Sequence, residues 1–498
     1  MSNSAEQSGQ TLTQRLHLPP AGFWLALVVM AVILVLPEAA GLPVAGQRLL
    51  AILAFAVILW LSEAVSYEVS AILIIMLMAV LLGMAPAGSD PKELLGTGKA
   101  LALAMGGFTS SGLVLVAAAL FLAGAMTITG LHKRIALVTL NRLGIGYGRI
   151  LIGTIVVTII LSLLVPSATA RVATVVPIMM GIIAAFNADK HSPFAAGVMI
   201  MVAQATSVWN VGIQTAAAQN LLTVSFIQQA TGHTILWSEW LLAGAPWAVL
   251  MSIALYWMML KLMPARSHGI AGGKEALQAQ LDALGPMKRD EKTLLITTLV
   301  LLALWATGGK LHSFDAATVT VAGLAFLLMP GFGVMNWKQV QSHVPWGTLV
   351  VFGVGISMGS ALLKTGAGQW LGNQIIQHTG IAGMGHFSLF AVLSLFLIVV
   401  HLGFASATAL TSTMMPVILS LLTAITVQMN VPGMAMLLGF AICFGFILPI
   451  NAPQNMVCIG TDTFTSKQFI RTGLWISLVG YLLLLLMAAT WWPFLGLL

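Results

Sequence analysis

Residues 148–186 form a long apolar run broken at its middle by Val165-Pro166-Ser167-Ala168-Thr169-Ala170-Arg171. Residues 386–425 form a second run, broken by Phe404-Ala405-Ser406-Ala407-Thr408-Ala409-Leu410. Both breaks read Ser-Ala-Thr-Ala, and a proline, Pro177 or Pro416, follows ten residues after each serine. Each run is too short for two ordinary membrane spans. The pattern predicts two re-entrant helical hairpins with non-helical tips at depth. Such backbone is tolerated in a membrane only where protein buries it or a wet cavity adjoins it. Matching interruptions in two halves of a chain point to a carrier's binding site.

The rest of the chain agrees with a membrane location. Of 498 residues, 59% are hydrophobic and 7% charged, with a mean hydropathy of +1.00. A soluble fold cannot hide that much apolar surface, so the expectation is an all-α polytopic membrane protein in a lipid bilayer. A net charge of +7 would suggest nucleic acid in a soluble chain. Here the basic residues read as topology signals, and no nucleic-acid partner is expected. The two cysteines, Cys443 and Cys458, lie in an apolar stretch and imply neither a disulfide framework nor a metal site. Residues 1–20 have no apolar core of a cleaved signal and no Arg-rich pattern, and read as a cytoplasmic tail.

The chain divides into two similar halves. Residues 21–263 hold spans near 21–41, 47–64, 66–84 and 110–130, a basic amphipathic surface helix at 131–144 and the first hairpin. Spans near 194–222 and 240–263 complete that half. The former carries Gln204, Asn210, Gln214, Thr215, Gln219 and Asn220, and so faces a polar interior. Its segment Thr215–Asn220 is the expected unwound break. Residues 264–292 are hydrophilic and read as a cytoplasmic linker with a helix. Residues 293–498 repeat the plan, with spans near 293–309, 314–331, 346–365, 433–460 and 473–497 around the second hairpin. A second break at Pro449-Ile450-Asn451-Ala452-Pro453-Gln454-Asn455 answers the first, since two prolines cannot sit in one unbroken helix. The total is about 11 transmembrane helices plus two hairpins. The repeat offset is near 239 residues. An odd number of crossings between matching parts makes the repeats inverted.

Charge orients the layout. With the N-terminus inside, fifteen Lys and Arg residues fall inside and five (Arg48, Lys92, Lys99, Lys310, Lys364) outside. The first hairpin then enters from the cytoplasm and the second from outside.

At its tips, its breaks and the tail Gly460-Thr461-Asp462-Thr463-Phe464-Thr465, the chain resembles the divalent anion/sodium symporter (DASS) family of di- and tricarboxylate carriers. The resemblance implies a homodimer in a bacterial inner membrane, with a transport domain moving as an elevator against a scaffold. It implies a small anionic substrate held by hairpin and break residues: Ser167, Ala168, Thr169, Arg171, Thr215, Asn220, Ser406, Ala407, Thr408, Asn451, Ala452 and Pro453. His401, Gln219 and Asn455 are further site or gating candidates. No organic cofactor is expected. Sodium, where used, would sit at Ser167, Thr169, Ser406 and Thr408.

The family's tips usually read Ser-Asn-Thr; here the Asn is replaced by Ala168 and Ala407. The first break has Ala216 to Ala218 where the family has prolines. Arg171 lies four residues past Ser167, where family members that exchange carboxylates without sodium carry Arg. A fixed guanidinium supplies the charge that a bound cation supplies elsewhere. The expected function is secondary transport of organic di- or tricarboxylates, with exchange or proton coupling ahead of sodium symport. An anion channel is a more distant alternative. No HExxH, nucleophile pair or Walker A pattern points to an enzyme or an ATP-driven pump.

Overall fold

The computed structural model describes residues 20–87, 92–144, 146–265, 273–425 and 429–498, so most of the N-terminal tail lies outside the described residues. The described chain is helical, with two isolated β-bridges and no strand. Nine of its helices are long and apolar enough to cross a membrane, and several shorter apolar ones accompany them.

The first half opens with α1 (Ala21–Val35), α2 (Val44–Ser62) and α3 (Tyr67–Leu77), the last extended by a π turn, Met78–Leu82. Next comes α4 (Thr97–Met105), between the spans predicted near 66–84 and 110–130. The 3-10 turn that follows α4 lies hard against a second-half helix. A Cβ on Gly107 would run into the Gly353 carbonyl, and the Gly107 N–H donates to Ser357 Oγ at 2.9 Å. Then follow α5 (Ser111–Thr129) and α6 (Leu131–Leu143). The first hairpin is α7 (Tyr147–Leu164) and α8 (Ala168–Ala185). A broken helix, α9 (Pro193–Gly212) and α10 (Ala218–Thr231), and then α11 (Trp237–Leu262) complete the half.

The linker contains α12 (Gly273–Ala283). It is docked on the protein: Leu277 is buried, and α12 packs on α6 and α8. Arg134 of α6 donates to the carbonyls of Leu284, Gly285 and Pro286 and to both oxygens of Glu291.

The second half begins with α13 (Arg289–Thr307), α14 (Ala316–Leu328) and the one-turn α15 (Trp337–Val340). Then α16 (Trp346–Lys364) and α17 (Ala367–Thr379) correspond to α5 and α6. The second hairpin is α18 (His386–His401) and α19 (Ala407–Ala424). The second broken helix is α20 (Val431–Ile442) and α21 (Pro453–Ile459), and α22 (Ser466–Ala489) matches α11. The one-turn α23 (Trp491–Phe494) ends the helical part. The same order of elements, from α5 to α11, recurs from α16 to α22.

The repeats agree in detail. Gly130 before α6 and Gly366 before α17 both take positive φ, 74° and 73°, open to a residue without a Cβ. Ser167 and Ser406 are both extended and cap the helix that follows. Each side chain accepts from a backbone N–H three residues on, Ala170 N or Ala409 N, at 3.3 Å. The core of the molecule is α9, buried along its whole length from Phe194. Packing across the repeats is reciprocal: α21 lies against the first hairpin and α10 against the second.

Candidate functional site

The hairpin tips and the two breaks meet at one cavity of about 490 Å³. One wall is Pro166 to Ala170 with Ala173, Ser406 to Thr408, Asn210, Ala217 to Gln219, and Ala452 to Gln454. The facing wall is Tyr67 and Glu68 of α3, Leu120, Ala123 and Thr127 of α5, His343 and Pro345, and Gly347, Thr348 and Val351 of α16.

The tips are short and small for a physical reason. Pro166 keeps α7 from continuing at the first tip, and at both tips the serine, Ser167 or Ser406, starts the next helix by capping it. Alanine at 168 and 407 then lets both helix ends approach the cavity without filling it. At the breaks, Ala217 and Ala452 are extended, with φ of −144° and −152°, and neither caps the next helix with its side chain. The positive ends of α8, α10, α19 and α21 therefore face one volume, which favours an anion.

Asn220 and Asn455 hold the breaks open by the same construction. Asn220 Nδ2 donates to the Asn210 and Ile213 carbonyls at 2.6 and 3.1 Å. Asn455 Nδ2 donates to the Gly445 and Leu448 carbonyls at 2.8 and 3.4 Å. The sequence separations, 10 and 7 residues, are identical in the two halves. These amides satisfy carbonyls freed by unwinding, and both asparagines are fully buried.

Arg171 stands behind the first tip. Its Nη1 donates to the Val165 carbonyl at 2.9 Å and the Ala216 carbonyl at 2.7 Å, and its Nη2 to Asn210 Oδ1. The side chain is 1% exposed, and Nε has no partner among the described residues. One guanidinium thus ties the hairpin to the break. Its charge reaches the cavity through Asn210, which lines it. The second half places Leu410 at the corresponding position. There His401 and Asn451 make the tie instead. His401 Nε2 is 3.2 Å from the Asn451 carbonyl, and Asn451 Nδ2 donates to the carbonyls of His401 and Phe404 at 2.8 and 3.0 Å.

Of the residues expected at the site, Ser167, Ala168, Thr169, Gln219, Ser406, Ala407, Thr408, Ala452 and Pro453 line the cavity. The structure does not bring Thr215, Asn220, Asn451, Asn455, Arg171 or His401 to its surface. The first break also falls earlier than expected. It spans Ile213–Ala217, so Gln219 and Asn220 are already helical. Thr215 is buried and receives the indole N–H of Trp237 at 3.2 Å.

The cavity also holds residues that sequence reasoning left out of the site. Asn210 and Gln454 are two. Gln454 Nε2 donates to Ser207 Oγ at 3.2 Å, bringing the second break onto α9. Tyr67, Glu68, Thr127, His343 and Thr348 also line the cavity, and among the described residues Glu68 is its one carboxylate. No group of His, Cys, Asp and Glu that could hold a metal ion occurs among the described residues.

The family model of the sodium:sulfate symporter transmembrane region matches residues 20–498. The chain belongs to this family. A Cupriavidus necator chain described as a membrane protein is 59% identical over 475 residues, covering 95% of this chain and 93% of its own length. The sodium-dependent dicarboxylate transporter SdcS of Staphylococcus saprophyticus is 28% identical over 392 residues, 73% of each chain. SdcS of Staphylococcus aureus is 26% identical over the same length. The crystal structure of the Alcanivorax borkumensis YdaH transporter, described as having an unusual topology, shares the fold. Its TM-score is 0.53 at 15% identity, covering 86% of this chain and 98% of that one. This sodium:sulfate symporter family member is therefore a multi-pass membrane transporter of the DASS type and not an enzyme.

Proposed function

We propose that this chain moves organic di- or tricarboxylates by exchange of one anion for another, with Arg171 in place of a coupling cation. The observation that carries the reading is the guanidinium on Val165 O, Ala216 O and Asn210 Oδ1. Those oxygens converge as the ligands of a hard cation would, and a fixed charge already occupies the place. Such a site keeps its charge whether or not it holds substrate. The unloaded carrier then returns poorly, which favours exchange over net flux. In the same reading Ser167, Thr169, Ser406, Thr408, Gln219, Asn210 and Gln454 meet the carboxylates, and Ala168 and Ala407 leave room for a substrate larger than succinate.

The elevator movement, a homodimer, a bacterial inner membrane and a cytoplasmic N-terminus complete the proposal. So do the domain limits: two inverted repeats at 21–263 and 293–498 joined by a linker at 264–292. Proton coupling through His401 would be a variant of the same cycle. Sodium symport is the second reading, favoured by the name of the SdcS relatives. It would place the ion at Ser406 and Thr408, where the second tip carries no guanidinium.

Proteoliposomes decide between these. Labelled succinate, malate and citrate are offered with sodium outside, with potassium only, or with unlabelled anion inside. Uptake that requires internal anion and ignores sodium supports exchange. Uptake into empty vesicles driven by a sodium gradient overturns it in favour of symport.

A further inference from the structure

A second cavity, about 390 Å³, adjoins the first and shares Thr127, Ala170 and Ala173 with it. The two volumes are therefore neighbours, with Ala170 and Ala173 of hairpin helix α8 and Thr127 of α5 between them. The outer volume is walled by the start of α6 and by α12 of the linker. Two side chains there can donate to a guest. Lys133 is exposed, lines the cavity and has no ion-pair or hydrogen-bond partner among the described residues. Gln280 of α12 is half-buried, with no hydrogen-bond partner among the described residues, and its amide nitrogen lies over Gly181, where a Cβ would come within 2.8 Å.

The contrast with the next residue is informative. Arg134 is committed to Glu291 and to the carbonyls of Leu284, Gly285 and Pro286. Of two adjacent cations, one builds the linker and the other is left over, facing a cavity next to the central one. The hydroxyls of Thr127 and Thr174 already donate to the backbone at Ala123 and Ala170, and His132 is buried with Nδ1 unpartnered, so Lys133 and Gln280 are the more accessible donors.

We infer that the outer cavity is a waiting site for a carboxylate entering or leaving the central cavity, held by the Lys133 ammonium and the Gln280 amide. An ammonium on a flexible stem is a strongly hydrated point charge. It holds an anion loosely and releases it quickly, while its field raises the local anion concentration. Only the identity of the anion rests on the function proposed above.

The test uses the full chain with Thr174→Cys as a reporter at the cavity wall. The native Cys443 and Cys458 are buried and do not compete. A neutral maleimide labels the reporter, and succinate slows the labelling while its uncharged dimethyl ester does not. In a Lys133→Gln background the half-protecting succinate concentration rises about fivefold or more. Gln280→Ala gives a smaller rise, and Lys133→Arg stays within about twofold of the parent. Raising the salt concentration mimics Lys133→Gln. Equal protection in the parent and in Lys133→Gln, or no protection by succinate, overturns the inference and leaves Lys133 a topology signal. Labelling needs no transport, so a failure of the exchange reading would leave this result readable by itself.

Discussion

Replacing Arg171 by alanine separates its two tasks. In the fold, the guanidinium satisfies the Val165 and Ala216 carbonyls and Asn210 Oδ1. Leaving an acceptor bare in a dry site costs about 1–3 kcal/mol. Holding a guanidinium away from water costs several kcal/mol, and the substitution relieves that cost. These effects oppose each other, so folded protein should still be recovered. In anion binding nothing offsets the loss of charge. For an assumed separation of roughly 8 Å between guanidinium and carboxylate and an effective dielectric of about 20, each substrate charge loses about 2 kcal/mol. That is about thirtyfold in affinity per charge. The assay is succinate exchange in potassium-only proteoliposomes, with a melting curve to verify the fold. Arg171→Ala should raise the half-saturating concentration by about thirtyfold or more. Arg171→Lys, which keeps the charge but not the three-way hydrogen bonding, should stay within about tenfold. Sodium added to Arg171→Ala should restore part of the uptake, because the vacated oxygens are ligands a hard cation accepts. Half-saturation within about threefold of the parent would refute the reasoning.

Three further outcomes are expected. Asn220→Ala and Asn455→Ala should each lower the melting temperature by a similar amount, about 2 kcal/mol in stability, because each bares two carbonyls of a break; a loss at only one of them would contradict the matched construction. Glu68→Gln removes the one carboxylate found in the cavity among the described residues and should improve uptake of a dianion up to about fivefold, read from initial rates at low substrate. The Glu291 carboxyl is opposed by burial, but the hydrogen bond and charge of Arg134 and the Lys288 N–H prevail and hold it below its ordinary value of 4.5. A carboxylate depressed by folding stabilises above its unfolded pKa and stops doing so as pH falls through the folded one. Arg134→Ala should therefore cost about 2 kcal/mol at neutral pH and progressively less below about pH 4.5, as followed by thermal melts.

Much of the fold was legible because membranes leave few choices. The two Ser-Ala-Thr-Ala interruptions located both hairpin tips, since an apolar run cannot be broken at depth without a reason. The amide-rich segment around Gln204 and Asn210 announced a helix buried on all sides. What stayed hidden depended on contacts between distant parts. The segment Thr97–Met105 carries strong helix formers, but at nine residues it is too short to read as a span. It is positioned by the close approach of Gly107 to Gly353, 246 residues away in sequence. Asn210 was visible as a buried amide, but its place between Arg171 and the cavity required the register of α8 against α9. Glu68 sits in the first turn of a helix that local sequence puts at the membrane edge; only the assembled fold turns it toward the tips. Conversely, Asn220 and Asn455 matched the pattern of ligands, yet their amides are spent on the broken backbone beside them.

The arm helices α6 and α17 are each 13 residues long, about 20 Å of helix. Each begins after a glycine at φ near 74° and ends at another positive-φ glycine, Gly144 or Gly380. With the repeats inverted as proposed, one of these helices would lie at each face of the membrane. A body held on opposite sides by two struts of equal length is a parallelogram linkage. When it shifts, it travels without turning. Under the proposed movement, both hairpin tips would keep their mutual orientation throughout the stroke, and the anion would ride in a site that is carried across and never rebuilt.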